Sequence, residues 1–188
     1  MLTLNPDNTR LFVTGGENNI VLECPLNTDG SITSCVSAGF ESSFNQPYGI
    51  SIDPTGTSAF IGNYGSPEIS ICTINPVDGT FSSCNNITTS FYAYGVTINS
   101  SLTYLYAAND GNNVFVCQLN QCVDSGFTFT GNETTSITLT QDGTTAFIGN
   151  FIFNYLTICT INQTDGTFSS CNNTADLFKY PTVIALSN

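Results

Sequence analysis

Residues 71–84 read Ile-Cys-Thr-Ile-Asn-Pro-Val-Asp-Gly-Thr-Phe-Ser-Ser-Cys, and residues 158–171 repeat this stretch with two changes. Each copy alternates apolar and polar residues, turns at Asp-Gly and then resumes, which is the pattern of a β-hairpin. Asp78 lies midway between Cys72 and Cys84, so the two cysteines face each other across the turn. The stretch therefore predicts a hairpin that is closed by its own disulfide.

This hairpin is the second half of a repeat that occurs four times. The equivalent residues Phe12, Phe60, Tyr106 and Phe147 are separated by 48, 46 and 41 residues. In the second copy, an earlier hairpin turns at Asp-Pro-Thr-Gly, residues 53–56, so that each repeat is a four-stranded antiparallel meander. Meanders with this period are typical of β-propeller blades.

We therefore predict an all-β, propeller-like array of about four blades plus one extra strand, with one disulfide per blade. The predicted limits within a single domain, 1–188, are 1–48, 49–94, 95–135 and 136–180 for blades 1 to 4, and 181–188 for the opening strand of a further blade.

The eight cysteines fall into one pair per repeat. The predicted bridges are Cys24–Cys35, Cys72–Cys84, Cys117–Cys122 and Cys159–Cys171. Zinc is the weaker alternative, because the spacings are not of the CxxC type and the chain has no histidine. Disulfides persist in oxidising compartments, so we expect an extracellular, cell-surface or periplasmic protein.

Charge excludes several classes of partner. Arg10 and Lys179 are the only basic residues against 14 acids, and the net charge is −12. Such a chain repels polyanions, which argues against nucleic acid and anionic membrane surfaces. No apolar run is long enough for a membrane helix. No secretory leader is recognisable at Met1, so we expect a processed product or a fragment.

The second strands of the repeats carry the motif by which the chain resembles a known family. These stretches are Phe12-Val-Thr-Gly15, Phe60-Ile-Gly-Asn63, Tyr106-Ala-Ala-Asn109 and Phe147-Ile-Gly-Asn150. They resemble the YVTN-type propellers and the related lactonase-like propellers over nearly the whole chain. The resemblance implies rings that are usually seven-bladed, so three alternatives stay open: a piece of a longer ring, edges that meet another chain, or a compact four-bladed ring with a spare strand.

Candidate catalytic groups are few. The sequence lacks histidine and tryptophan, has two basic residues and leaves no cysteine unpaired if the bridges form. We therefore expect no enzyme activity, no cofactor and no metal. Calcium at the recurring turn aspartates Asp29, Asp78 and Asp165, or at Asp7, Asp53 and Asp142, is a weaker hypothesis, because aspartate before glycine already suits a tight turn.

Aromatic and amide residues recur at one end of the repeats. Tyr48 and Tyr94 (and Tyr180) precede opening strands, while Asn63, Asn109 and Asn150 end second strands. At a channel mouth they are candidates for binding a sugar or peptide. The simpler explanation is blade packing and asparagine capping of loops, since a residue repeated in every blade usually serves the scaffold.

Five sequons fit the N-glycosylation pattern, namely Asn86, Asn99, Asn132, Asn162 and Asn172. The sequence as a whole favours an extracellular structural or adhesive protein that assembles with itself or with further blades. The alternatives are part of a lactonase-like enzyme, or a propeller that binds carbohydrate or peptide.

Overall fold

The computed structural model describes residues 1–109, 111–118, 121–129, 134–151 and 154–174. The chain divides into two compact units, Met1–Tyr92 and Ala93–Asn188, which we call unit 1 and unit 2. Each unit contains two four-stranded sheets. The extra strand predicted at 181–188, Tyr180 and the sequon at Asn132 lie outside the described residues.

Unit 1 holds blades 1 and 2. Blade 1 consists of β1 (Leu2–Leu4), β2 (Arg10–Gly15), β3 (Ile20–Pro25) and β4 (Val36–Ser37), and blade 2 of β5 (Pro47–Ile52), β6 (Ser58–Asn63), β7 (Glu68–Ile74) and β8 (Phe81–Thr88). A 3₁₀ helix, Glu41–Ser43, lies in the connection between them. Every neighbouring pair of strands is antiparallel and consecutive in sequence.

Unit 2 holds blades 3 and 4. Blade 3 consists of β9 (Ala93–Ile98), β10 (Leu105–Asn109), β11 (Asn113–Gln118) and β12 (Gln121–Thr128), and blade 4 of β13 (Thr134–Leu139), β14 (Thr145–Asn150), β15 (Tyr155–Ile161) and β16 (Phe168–Asn173). The prediction of an all-β chain with four antiparallel, four-stranded blades is confirmed.

All four predicted disulfides are confirmed, one in each blade. In blades 2, 3 and 4 the bridge joins the third strand to the fourth, and the two cysteines are directly opposite in the ladder. In blade 1 it joins β3 to Cys35, the residue directly before β4. The third-strand partner is always buried, whereas the fourth-strand cysteine is more accessible. The bridges therefore fasten the outermost strand of each blade to the part that is anchored in the core.

The core of each unit lies between its two blades and is organised around three aromatic rings. In unit 1, Phe12 stacks on Phe81 at a centroid distance of 6.2 Å, and Phe44 meets Phe81 edge to face. In unit 2, Tyr106 stacks on Phe168 at 6.0 Å, and Phe129 meets Phe168 edge to face. These are favourable geometries for aromatic pairs. The same arrangement of three rings thus occurs in both units.

The disulfides should stabilise the blades more where the loop that they close is longer, with a logarithmic dependence on loop length. We expect Cys72→Ala/Cys84→Ala to lower the free energy of unfolding by about 3 kcal/mol, because the bridge spans 12 residues. Cys117→Ala/Cys122→Ala, which opens a span of 5 residues, should cost about 2 kcal/mol. Denaturant unfolding of both double variants provides the comparison. A larger loss in the shorter loop would contradict the chain-entropy explanation.

Candidate functional site

Each blade has two chemically different ends. The turns between its first and second strands and between its third and fourth strands lie at one end, which we call the turn edge. The turn between the second and third strands and the connections to the next blade lie at the other, which we call the loop edge. All five predicted ligand residues lie at the loop edge: Tyr48 and Asn63 in unit 1, and Tyr94, Asn109 and Asn150 in unit 2.

Asn63 holds the connection between blades 1 and 2. Its side chain is fully buried, its Oδ1 accepts a hydrogen bond from the Asn45 amide at 2.9 Å, and its Nδ2 donates to Ser70 Oγ at 2.9 Å. Ser70 Oγ in turn donates to the Ser43 carbonyl at 2.8 Å. A buried amide with both ends satisfied orders the loop, as expected for buried polar groups.

The two asparagines of unit 2 also bond within their own blades. Asn150 is buried, and its Nδ2 donates to Thr157 Oγ1 at 2.9 Å, while Thr157 donates to Asn173 Oδ1 at 2.8 Å. Asn109 is half-buried, and its Oδ1 accepts from the amides of Gly111 and Asn113. These contacts support the capping explanation; ligand binding by the set stays a prediction.

The tyrosines differ in accessibility. Tyr48 is 36% exposed, and its carbonyl accepts a hydrogen bond from Thr14 Oγ1 at 2.6 Å, which ties the first strand of blade 2 to the second strand of blade 1. Tyr94 is half-buried. Tyr48 is thus the member of the predicted set that presents most side-chain surface to solvent.

The turn aspartates act inside their turns. The carboxylate of each accepts a hydrogen bond from the hydroxyl two residues later, in the pairs Asp7–Thr9, Asp29–Ser31, Asp78–Thr80, Asp142–Thr144 and Asp165–Thr167. Asp53 is buried and accepts from the Thr57 amide at 2.8 Å. Across the described ranges, no three His, Cys, Asp or Glu side chains come together as a metal-binding group would require.

An ion pair at the turn edge joins the blades of unit 1. Arg10 Nη1 lies 2.6 Å from Glu23 Oε1, and Glu23 is 1% exposed. The same guanidinium donates to the carbonyls of Asp78 at 2.5 Å and Val77 at 3.0 Å, in the β7–β8 turn of blade 2. Charge-assisted bonds of this kind are stronger than neutral ones. We call this arrangement the Arg10 latch.

Tyrosines make the equivalent contact in unit 2. Tyr104 occupies the position of Arg10, and its hydroxyl donates to the Thr164 carbonyl at 3.0 Å in the β15–β16 turn. The buried Tyr106 hydroxyl donates to the Gly166 carbonyl at 2.9 Å. Burial raises the pKa of Tyr106 well above the ordinary tyrosine range, so that this donor keeps its proton.

The equivalent tyrosine contact of unit 2, made by Tyr104, is called the Tyr104 latch. The Arg10 latch and the Tyr104 latch both require a glycine in the turn that they contact. Gly79 and Gly166 have φ values of +77° and +76°, which side chains with a Cβ rarely adopt. A Cβ on Gly79 would lie 2.6 Å from Arg10 Nη1, and one on Gly166 would lie 2.7 Å from the Tyr104 ring. The Asp-Gly turn thus serves the local hairpin and leaves room for the neighbouring blade.

No role was predicted from the sequence for the residues of the latches. Arg10 is one of two basic residues in the chain, and that rarity was the signal available. Its partner Glu23 occupies a position where the other blades have Ile71, Val116 and Ile158. A carboxylate in an otherwise apolar series of positions indicates a buried partner of opposite charge.

Comparison with known proteins identifies structural neighbours only. No family model and no curated sequence matches the chain. A "putative 6-phosphogluconolactonase" from Bacteroides uniformis matches with a TM-score of 0.74 and 16% identity, over 97% of this chain and 55% of that protein. A second protein so described, from Bacteroides fragilis, gives 0.71 and 14% over 97% and 55%. An auxiliary nutrient binding protein from Bacteroides thetaiotaomicron gives 0.71 and 15% over 92% and 40%.

These neighbours confirm the resemblance to lactonase-like propellers at the level of fold. The narrower YVTN assignment stays a resemblance, because no family model supports it. The chain spans about half the length of the lactonase-like structures that it matches.

One expectation is wrong. The small catalytic inventory predicted a protein that is not an enzyme, whereas the two neighbours that match 97% of the chain are described as putative 6-phosphogluconolactonases. The inventory misled because catalytic groups of a propeller converge from many blades, so four blades need not contain the full set.

The Arg10 latch should be a large contributor to the stability of unit 1. We expect Arg10→Ala to lower the free energy of unfolding by about 3 to 5 kcal/mol, because it leaves the buried Glu23 carboxylate without its partner. The double variant Arg10→Ser/Glu23→Ile copies Ser58 and Ile71 of blade 2 and should recover most of this loss. Denaturant unfolding measures both. A double variant as unstable as Arg10→Ala would show that the unpaired charge is not the cause.

The turn aspartates should make stability depend on acid. The Thr80 hydroxyl, and then its amide, hold the pKa of Asp78 below the ordinary 3.8. A lowered folded-state pKa contributes stability above the unfolded value, and that stability is lost as the pH falls through the folded-state pKa. We expect Thr80→Val to raise the pKa of Asp78 toward 3.8 and to leave that of Asp165 unchanged. Carboxyl NMR titration provides the test, and an unshifted Asp78 would contradict it.

Proposed function

We propose that this chain forms part of a lactonase-like β-propeller that works outside the cytoplasm on a sugar lactone. The observation that carries this proposal is the match of its four blades to 55% of a putative 6-phosphogluconolactonase at a TM-score of 0.74. At 16% identity the match itself establishes the fold alone. The activity is therefore argued from chemistry.

The compartment is argued from the bridges. Each described blade contains a disulfide, and no cysteine is free. Bridges in every repeat are expected where thiols are not kept reduced. No helix among the described residues is long and apolar enough to cross a bilayer. A secreted or periplasmic setting is consistent with both observations.

Lactone hydrolysis requires a base that activates water and donors that stabilise the oxyanion at the carbonyl. The chain has no histidine and 14 acidic residues, so the first candidates for a base from these blades are carboxylates. On the loop edge of unit 1, Glu17 lies exposed in the β2–β3 turn, and Tyr48 presents a partly exposed phenol. Glu68 is less suited, because it already accepts bonds from Ser66 and Asn86.

A second role is association through the outer edges of the blades. Val36 on β4 is 50% exposed and Val123 on β12 is 54% exposed. Both strands are edge strands of their sheets. Exposed apolar residues on an open strand edge favour pairing with another chain. This adhesive or structural role is compatible with catalysis at the loop edge.

Hydrolysis of gluconolactone and of its 6-phosphate, followed by pH-stat, tests the proposed activity. The assay should use the longest natural chain that contains these four blades, because the present chain spans only 55% of the length of its lactonase-like neighbour. We expect hydrolysis above the uncatalysed rate, and we expect Glu17→Gln to lower kcat by about 100-fold if it is the base. Asp29→Asn, at an exposed turn on the opposite edge, serves as the matched control.

The outcomes separate the two roles. No hydrolysis above the uncatalysed rate by the complete ring would remove the lactonase proposal. Light scattering on the same preparations reports association, and Val123→Lys should shift an assembled species toward the monomer if the β12 edge is used. A native chain that stays monomeric at all concentrations would remove the second role.

A further inference from the structure

A cavity of about 330 Å³ opens at the turn edge of unit 1, at the end of the blades opposite to Tyr48 and Asn63. It is lined by the β1–β2 turn, by the β5–β6 turn and by the end of β7 with the turn that follows. The size lies at the lower end of the range for small-molecule sites. Its position makes it independent of any chemistry at the loop edge.

The wall of the cavity is mostly neutral and polar, above an apolar floor. Its polar lining comprises Asn5, Thr9, Thr55, Thr57 and Asn75, with Asp7 and Arg10 as the charged members. The floor includes Phe12 and Ile74, which are fully and almost fully buried, and the rings of Pro6 and Pro76 add apolar surface. Hydroxyls, amides and apolar patches thus alternate around one small space.

The Arg10 latch holds this wall in place. The guanidinium makes three hydrogen bonds, to Glu23, Val77 and Asp78, which fix it between the two blades. An arginine side chain has five N–H donors, so two remain unused by the described residues. Because the side chain is already ordered, a ligand that uses those donors loses little additional conformational entropy.

Asn75 contributes another unused donor. Its Oδ1 accepts a hydrogen bond from the Val77 amide at 3.0 Å, which fixes the side chain in the turn. Its Nδ2 donates to no group among the described residues. The three threonine hydroxyls of the wall, Thr9, Thr55 and Thr57, already donate to neighbouring aspartate carboxylates. The cavity therefore combines fixed donors with hydroxyl oxygens that can accept.

The charges restrict the ligand. Asp7 is a carboxylate at neutral pH, and hydrogen bonds from Thr9 lower its pKa further. Together with the net charge of −12, this carboxylate disfavours an anion. Arg10 disfavours a cation, including a metal ion. The polar wall disfavours a purely apolar ligand, which would leave its donors and acceptors desolvated and unpaired.

We propose that this turn-edge cavity binds a neutral monosaccharide, either free or at the end of a glycan. Such a ligand presents hydroxyls that both donate and accept and has C–H faces for the proline rings and the apolar floor. The two remaining N–H donors of Arg10 and the Nδ2 donor of Asn75 orient the sugar by binding its hydroxyl oxygens. Asn75 is a binding residue in this site, and Arg10 both binds and holds the wall.

Isothermal titration with glucose, galactose, mannose and their methyl glycosides tests the proposal on the native chain. We expect saturable binding of at least one of these sugars. The anion gluconate should bind at least about tenfold more weakly than neutral glucose. Equal binding of free sugar and methyl glycoside would assign the ligand to a glycan end, whereas loss on methylation would assign it to a free sugar.

Asn75→Asp is the sharpest variant, because it keeps the Oδ1 acceptor for Val77 and replaces the Nδ2 donor with an anionic oxygen. We expect sugar binding to weaken by about tenfold, which corresponds to one lost hydrogen bond. Asn162→Asp is the matched control: Asn162 Oδ1 caps the equivalent turn of blade 4 through the Thr164 amide at 3.0 Å, outside the cavity. It should leave affinity unchanged within about twofold.

The proposal is overturned if no neutral sugar binds saturably, if gluconate binds better than glucose, or if both asparagine variants weaken binding equally. Should Asn75→Asp lower the thermal midpoint more than Asn162→Asp, Thr55→Leu replaces it as the test. Thr55 is exposed in its turn, and leucine there narrows the cavity, so tenfold weaker binding is again expected and unchanged binding overturns the proposal. Lactone hydrolysis is scored separately, so either proposal can fail alone.

Discussion

The rest of each unit depends on one contact. In this contact, an aromatic ring of the unit's first blade stacks on an aromatic ring of its second blade. Phe12 on Phe81 and Tyr106 on Phe168 bring the second strand of one blade against the start of the fourth strand of the next. A meander of this kind is apolar on its faces and cannot cover them alone. The pair of blades is therefore the smallest piece with a closed core.

The disulfides and the latches extend this core to the periphery. Phe81 and Phe168 begin outer strands, and the bridges hold those strands to the buried cysteines of the third strands. The latches hold the adjoining turns from the neighbouring blade. Unit 1 uses a buried ion pair and unit 2 uses phenols, so two chemistries serve one geometry. A buried pair costs desolvation that a phenol avoids, which fits the single occurrence of the charged version among the described blades.

The two ends of the blades differ in which side chains the fold buries and which it leaves accessible. At the loop edge, Asn63 and Asn150 are buried and their Nδ2 groups are bonded within their own blades, whereas Tyr48 and Glu17 remain accessible. At the turn edge, the latch that fastens the blades also forms one wall of the cavity of about 330 Å³ in unit 1. A ligand at that edge would thus contact groups that the fold has already ordered, which lowers the entropic cost of binding.

The blades, their order and the disulfides follow from the sequence by itself. These features depend on patterns within about 15 residues, such as period-two alternation, Asp-Gly turns and cysteines spaced evenly about them. The burial of Asn63 and Asn150, the partnership of Arg10 with Glu23, and the cavity were decided by tertiary structure. Arg10 meets Val77 and Asp78 across 67 and 68 residues of sequence, and Tyr104 meets Thr164 across 60. A local pattern carries no record of such distant contacts, since they exist only when one blade packs against the next.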